Sequence, residues 1–156
     1  MKAKSIAESA TTLSVVMMPQ DANHYGSVHG GTILKLVDEA AFVVATKHAR
    51  KNVVVASMDH IEFKHPVNVG DLLTLKASIY HVGRTSMDVE VGIETEKIKQ
   101  GKILKVGSSY LTMVALDELG KPTRVPRLIL KTKEEIAKSK DIRQKRQRRI
   151  AHFSVS

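Results

Sequence analysis

A chain of 156 residues, 42% apolar and 26% charged, is long enough for one domain with a real core. The absence of cysteine excludes a disulfide framework, a thiol nucleophile and a Cys-based zinc site, and fits a reducing compartment. The net charge of +9 is concentrated near the end: between Lys131 and Arg149, nine cations face the three carboxylates Glu134, Glu135 and Asp141. The remainder is only mildly basic, so nucleic-acid binding would have to rest on the tail.

In chain order, residues 1–12 read as a flexible leader. "LSVVMM" (13–18) is expected to be a short strand that Pro19 ends, because proline cannot donate to a ladder. Ser14 and Pro19 break this run as a secretory signal, and nothing approaches the roughly 18 apolar residues of a membrane helix. A cytoplasmic protein without membrane insertion is therefore expected. "QDANHYGSVHGG" (20–31) is loop chemistry.

From Thr32 to about Ala49, Ile33, Leu36, Val37, Ala40, Ala41 and Val44 follow helical spacing. Leu34, Phe42, Val43 and Ala45 fill most of the other faces, which predicts a helix buried nearly all round. Asp38 stands on that helix, where an unpartnered carboxylate is costly. From the residues alone it is equally a structural or surface charge and a reacting group.

Four strands are then expected: "NVVVASMDHIEF" (52–63), "LLTLKASIYHV" (72–82), "TSMDVEVGIETEK" (85–97) and "KILKVGSSYLTMVALD" (102–117), with Gly83 and Gly101 at hairpin turns. Segment 85–97 alternates Met87, Val89, Val91 and Ile93 with Asp88, Glu90, Glu94 and Glu96, as for a sheet with one wet face. The plan is α+β, an antiparallel sheet with a central helix packed on one face. Residues 131–156 form a basic C-terminal tail, helical or partly disordered, with the sparse anchors Ile136, Ala137, Ile142 and Ile150. No aromatic residue interrupts "KSKDIRQKRQRR" (138–149), so base stacking is not indicated and no stable nucleic-acid partner is expected. His60 and His65 have poor metal-ligand geometry, and Ser27 lies in no nucleophile elbow; no metal site is expected.

"PQDANHYGSVHGGTILKLVDEAA" (19–41), at the head of a strand, helix and four strands, resembles the hotdog-fold acyl-CoA thioesterases, and most nearly their cytosolic acyl-CoA hydrolase branch. The family pattern P-x-D-x-N-x-x-G, a Gly pair, then Asp and small residues, maps onto Pro19, Asp21, Asn23, Gly26, Gly30, Gly31, Asp38, Ala40 and Ala41. "SMDHIEFKHPVNVGDLL" (57–73), "GRTSMDVEV" (83–91) and "ALDELGKPTRVP" (115–126) match further stretches in order. The likeness covers residues 10 to 127, within a hotdog domain bounded at 13–130. It implies a sheet wrapped around a long helix, a dimer joined edge to edge, a hexamer as a trimer of such dimers, and substrate at the dimer interface. It implies no cofactor, coenzyme A being part of the substrate.

The resemblance gives Asp38 as base or nucleophile and Gly30 as oxyanion donor, with Gly31 beside it and Asn23 positioning the water or the carbonyl. Chemically, thioester hydrolysis needs such a carboxylate and such a donor, and a helix N-terminus supplies free N–H groups with a positive dipole end. Eight residues separate Gly30 from Asp38, roughly 12 Å along a helix axis. One helix cannot bring both to one carbonyl, whereas two antiparallel helices can, so Asp38 is expected to meet the partner chain's Gly30. Arg84, Thr85 and Ser86 match the coenzyme-contacting hairpin; Lys64 and His29 are further substrate-binding candidates. Alternatives are a hotdog hydratase or dehydratase, with His29 the one available histidine, and a nonenzymatic acyl-CoA or nucleic-acid binder.

Overall fold

The computed structural model describes residues 1–59 and 61–155, the side chains of 152–155 excepted. Its elements are β1 (Lys4–Ser5), α1 (Ile6–Ser9), β2 (Thr11–Val16), α2 (Gly30–Ala49), β3 (Asn52–Met58), β4 (Leu72–Val82), β5 (Ser86–Lys97), β6 (Lys102–Leu116), β7 (Leu128–Ile129) and α3 (Lys133–Val155).

Five strands form one antiparallel sheet in the order β2-β4-β5-β6-β3, and β1 pairs in parallel with β7 in a small separate ladder. Period-2 alternation decides what the sheet buries. Leu73, Leu75, Ala77 and Ile79 of β4, Met87, Val89, Val91 and Ile93 of β5, and Leu111 and Met113 of β6 point to one face and are almost wholly inaccessible. Into that concave face packs α2, through Ile33, Val37, Ala40, Ala41, Val44 and Ala45. Alanines at 40, 41 and 45 let the helix approach closely. This is the expected hotdog arrangement.

Three features differ from the sequence-based expectation. The first is α2, which is not buried on every side: Leu34 is 36% and Phe42 50% exposed, and Asp38 lies between them one turn from each. An all-round apolar pattern thus leaves an open stripe on the protomer. Next, strand β3 stops at Met58 after a register shift between Val55 and Ser57, and residues 61–70 form a loop. That loop passes so close to β6 that a side chain at Gly107 would come within 2.8 Å of the Glu62 carbonyl. Lastly, the leader is tied down. Ile6 is buried, the Glu8 carboxylate accepts the Ser5 N–H, and the Lys4 ammonium donates to the Lys47 and His48 carbonyls at the end of α2. These contacts are tertiary, and a polar stretch gives no periodic signal for them.

The basic tail is the helix α3, which lies across the outer face of β4 and β5. Its cations meet the polar side chains of that face. Lys138 pairs with Glu90 (2.6 Å), Arg146 reaches Asp88 (3.5 Å), and the buried Arg149 donates to Thr112 Oγ1 (2.9 Å) and lies 3.6 Å from Asp59. Asp88 is 1% exposed and also accepts from Thr112 Oγ1 (2.7 Å) and bonds His81 Nδ1 (2.7 Å). Ile142 fills the remaining contact and is buried. The face expected to be wet is therefore partly roofed. Among the described residues, no helix is long and apolar enough to cross a membrane.

Candidate active site

The loop before α2 is built to present the helix start. Asn23 Oδ1 accepts the N–H groups of Tyr25 (2.8 Å) and Ser27 (3.2 Å), closing a turn over the side chain. His29 N–H bonds the Asp21 carbonyl, and Val28 N–H bonds the Val67 carbonyl. Asp71 holds the opposite side, accepting from Asn68 N–H, Thr95 Oγ1 and Lys97 Nζ. Burial alone would raise the Asp71 pKa; the Lys97 ammonium and these hydrogen bonds outweigh it and hold the carboxyl below its usual value.

Gly30 is the first helical residue of α2. Thr32 and Ile33 donate back to the His29 carbonyl, whereas the Gly30 and Gly31 N–H groups meet no acceptor among the described residues. Both glycines are exposed, with open space around Gly31 and the Phe63 ring 3.6 Å from where a side chain at Gly30 would begin. His29 is exposed as well and makes no side-chain cap on the helix.

Asp38 is half-buried, with no hydrogen-bond or ion-pair partner among the described residues. It stands two turns along α2, about 12 Å from Gly30 along the axis. Within one protomer the two are on one helix but cannot reach one carbonyl group. Edge strand β3 carries Val54 (45% exposed) and Val55 (40%), so an apolar ladder edge is open at the side of the sheet.

The other candidates are dispersed. Arg84 is exposed and borders a groove of about 450 Å³ at the β4–β5 turn. Ser86 is buried, its Oγ so near Gly83 that a Cβ there would lie 2.7 Å away, and Thr85 is half-buried with its carbonyl accepting the Ala115 N–H. Neither hydroxyl lines that groove. Lys64 is exposed on the loop outside β6, beside Glu62 and Lys105, and does not join Arg84. Sequence reasoning passed over Phe63 beside Gly30, and also Arg124 and Arg127, which border the groove with Arg84. The signal for these arginines was present in "TRVPR" (123–127), two cations around a rigid Val-Pro. No group of three or more His, Cys, Asp or Glu among the described residues could hold a metal, and His60 lies outside them.

Comparison with known proteins gives these features a context. The thioesterase superfamily model matches residues 25–113. An uncharacterized acyl-CoA thioester hydrolase, YkhA of Bacillus subtilis, is 36% identical over 129 residues, 83% of this chain and 75% of that one. Among solved structures, an acyl-CoA hydrolase of Staphylococcus aureus in complex with butyryl coenzyme A, coenzyme A and coenzyme A disulfide superimposes with a TM-score of 0.89 at 36% identity, covering 97% of this chain and 92% of that one. Further structures of that enzyme carry alanine in place of an asparagine, an aspartate or a threonine. An apo-hexameric acyl-CoA thioesterase gives 0.89 at 37% identity, covering 97% and 99%. A family match over more than half its length, with relatives above 30% identity along most of it, means that this chain belongs to the thioesterase superfamily.

Proposed function

We propose that this protein hydrolyses acyl-CoA thioesters to a carboxylic acid and coenzyme A in a site shared between two protomers. The observation carrying this reading is a division of parts along α2. Among the described residues, donors without acceptors open the helix at Gly30 and Gly31, and a carboxylate without a partner stands at Asp38, too far away to act on the same carbonyl. A second protomer with its α2 antiparallel to the first brings each carboxylate to the other's helix start, giving two equivalent sites. The open β3 edge and the exposed Leu34 and Phe42 supply the apolar surface for such a pairing. Three dimers would make a hexamer, like the neighbour described above.

Asp38 takes a proton from water as the water oxygen bonds to the thioester carbon, and the partner's Gly30 N–H receives the developing oxyanion. Collapse breaks the C–S bond, and the proton held on Asp38 passes to the departing thiolate. Direct attack by the Asp38 carboxylate, through an anhydride, is the alternative within the same geometry. Asn23 has its carbonyl oxygen engaged in the turn, so its amide N–H groups are what it can offer the water or the carbonyl. The interval between Asn23 and Asp38 supports the pairing: in the S. aureus enzyme the asparagine and aspartate replaced by alanine are likewise fifteen residues apart. The threonine replaced there is seventeen residues beyond its aspartate, and the same count falls here on Val55, which offers no hydroxyl.

The test is thiol release from a panel of acyl-CoAs of graded chain length, with wild type and Asp38→Asn. Asp38→Asn should lower kcat by about 10²- to 10⁴-fold while coenzyme A binding persists. Unchanged turnover removes Asp38 from the mechanism, and enoyl formation without thiol release replaces hydrolysis by a hydratase or dehydratase reaction.

A further inference from the structure

The cations of α3 are sorted by face, and the sheet accounts for one side of the helix only. Lys138 and Arg146 point inward to Glu90 and Asp88, and Arg149 to Thr112. Lys145 stands 3.9 Å over the centre of the Tyr110 ring and 3.3 Å from Asp141. With the buried Ile142, these contacts back the helix from Lys138 to Arg149. The opposite side has a different composition. At about 100° per residue, a stripe reaching about 80° to either side of Lys140 takes in Lys133, Ile136, Arg143, Arg148 and Ile150. All of these are exposed, the two isoleucines to 55% each. Every other position of the stripe between Lys133 and Ala151 is alanine or glutamine, so no carboxylate stands on it. Lys133, Lys140, Arg143 and Arg148 have no hydrogen-bond or ion-pair partner among the described residues.

A row of like charges with apolar side chains set among them selects its occupant. Nucleic acid would satisfy the cations, but isoleucine gains little against phosphates, and the stripe has no aromatic ring on which a base could stack. At a lipid surface both kinds of side chain find a place. Lysine and arginine stems reach the headgroup phosphates while the isoleucines enter the acyl boundary. One continuous helix from Lys133 to Ala151, about 27 Å long, meets a plane along its length. Two carboxylates on one flank, Glu134 and Asp141, work against an anionic surface. Asp141 is already engaged by Lys145, which leaves Glu134 opposed to four cations.

We propose that the outer face of α3 docks this protein on an anionic lipid surface, lying in the headgroup plane without crossing the bilayer. The sheet separates α3 from α2, so a docked protomer keeps the start of α2 and Asp38 on the side away from the lipid. This binding does not depend on the thioesterase reading.

The experiment is co-sedimentation of the whole chain with vesicles of phosphatidylcholine containing about 30% phosphatidylglycerol, and with phosphatidylcholine alone. Two variants each lose four positive charges. One carries Lys133→Gln, Lys140→Gln, Arg143→Gln and Arg148→Gln on the stripe; the other carries Lys99→Gln, Lys102→Gln, Lys105→Gln and Lys121→Gln at exposed positions outside α3. Wild type should partition at least about tenfold more strongly onto the anionic vesicles than onto the neutral ones, and come off as salt rises. The stripe variant should lose at least about tenfold of that partition and the other variant no more than about twofold. If the stripe variant melts earlier than wild type, the pair Lys140→Gln/Arg143→Gln alone should still lose at least about threefold. Ile136→Gln/Ile150→Gln keeps every charge and should also lose about threefold; no loss there reduces the stripe to an ionic patch and overturns lipid docking. The proposal also falls if wild type shows no preference for anionic vesicles, or if both charge variants lose equally. Binding of a DNA duplex without vesicle binding, abolished in the stripe variant, assigns the stripe to nucleic acid instead. A smaller assembly of the stripe variant in size-exclusion chromatography assigns it to contacts between copies, and overturns the proposal as well.

Discussion

Mixing two inactive variants tests the shared site. Gly30 is the first residue of α2, the helical position at which proline is best tolerated, and His29 before it has φ −58° and ψ 134°, the extended conformation that precedes proline. Among the described residues the Gly30 N–H has no acceptor, so Gly30→Pro removes the proposed oxyanion donor and none of their hydrogen bonds. Asp38→Ala removes the carboxylate. Each homodimer should retain no more than about 10⁻² of the wild-type rate. Co-refolding the two in equal amounts gives heterodimers as half of all dimers, and in each heterodimer one site of two keeps both parts. The mixture should therefore recover about a quarter of wild-type thiol release. If donor and carboxylate acted from one chain, every chain would carry a defect and nothing would return. Heterodimers detected by native mass spectrometry, with activity no greater than the sum of the homodimers, would refute the composite arrangement.

Other outcomes follow from the packing. Burial outweighs the Pro126 carbonyl and holds the His48 imidazole below its ordinary pKa of 6.5, so the unfolded chain takes up that proton first and this contribution to stability is lost as pH falls from 6.5. His48→Gln keeps a donor for Pro126 and should flatten that slope in urea unfolding measured from pH 7 to 5. Asp88→Asn leaves Arg146 without its anion and removes the charged acceptor of the Thr112 hydroxyl, which in turn accepts from the buried Arg149; it should cost about 2 to 3 kcal/mol, below the fully buried range because Arg146 is partly exposed, and a shift under about 0.5 kcal/mol in denaturant melts would mean the network does not hold α3. Arg50 ends α2 at φ 54°, and Arg50→Gly should raise stability by about 0.5 to 1 kcal/mol in thermal unfolding.

The sheet strands were legible because Met87, Val89, Val91 and Ile93 alternate cleanly with polar neighbours, and the central helix because its apolar residues outrun the strand-like Phe42-Val43-Val44. What a periodic pattern cannot carry is the partner of each face. The apolar excess on α2 gave no clue that Leu34 and Phe42 would remain open on the protomer, and the charge run after Lys131 hid a docking face whose partners, Asp88 and Glu90, are forty or more residues away. Asp38 was found by its improbability among apolar neighbours. Its lack of a partner among the described residues needed coordinates, as did the meeting of Arg84 with Arg124 and Arg127 across forty residues of sequence.

Strand β3 has a further consequence, for the newly made chain. Its outer row of amides and carbonyls faces no further strand among the described residues, and Val54 and Val55 make the same rim sticky. A polypeptide in this condition is a template for whatever extended segment arrives first, so the speed of finding a matching copy competes with clumping. Yield on dilution, or at low expression, should then depend more steeply on concentration than core packing alone predicts, and Val54→Lys should curb precipitation while slowing assembly.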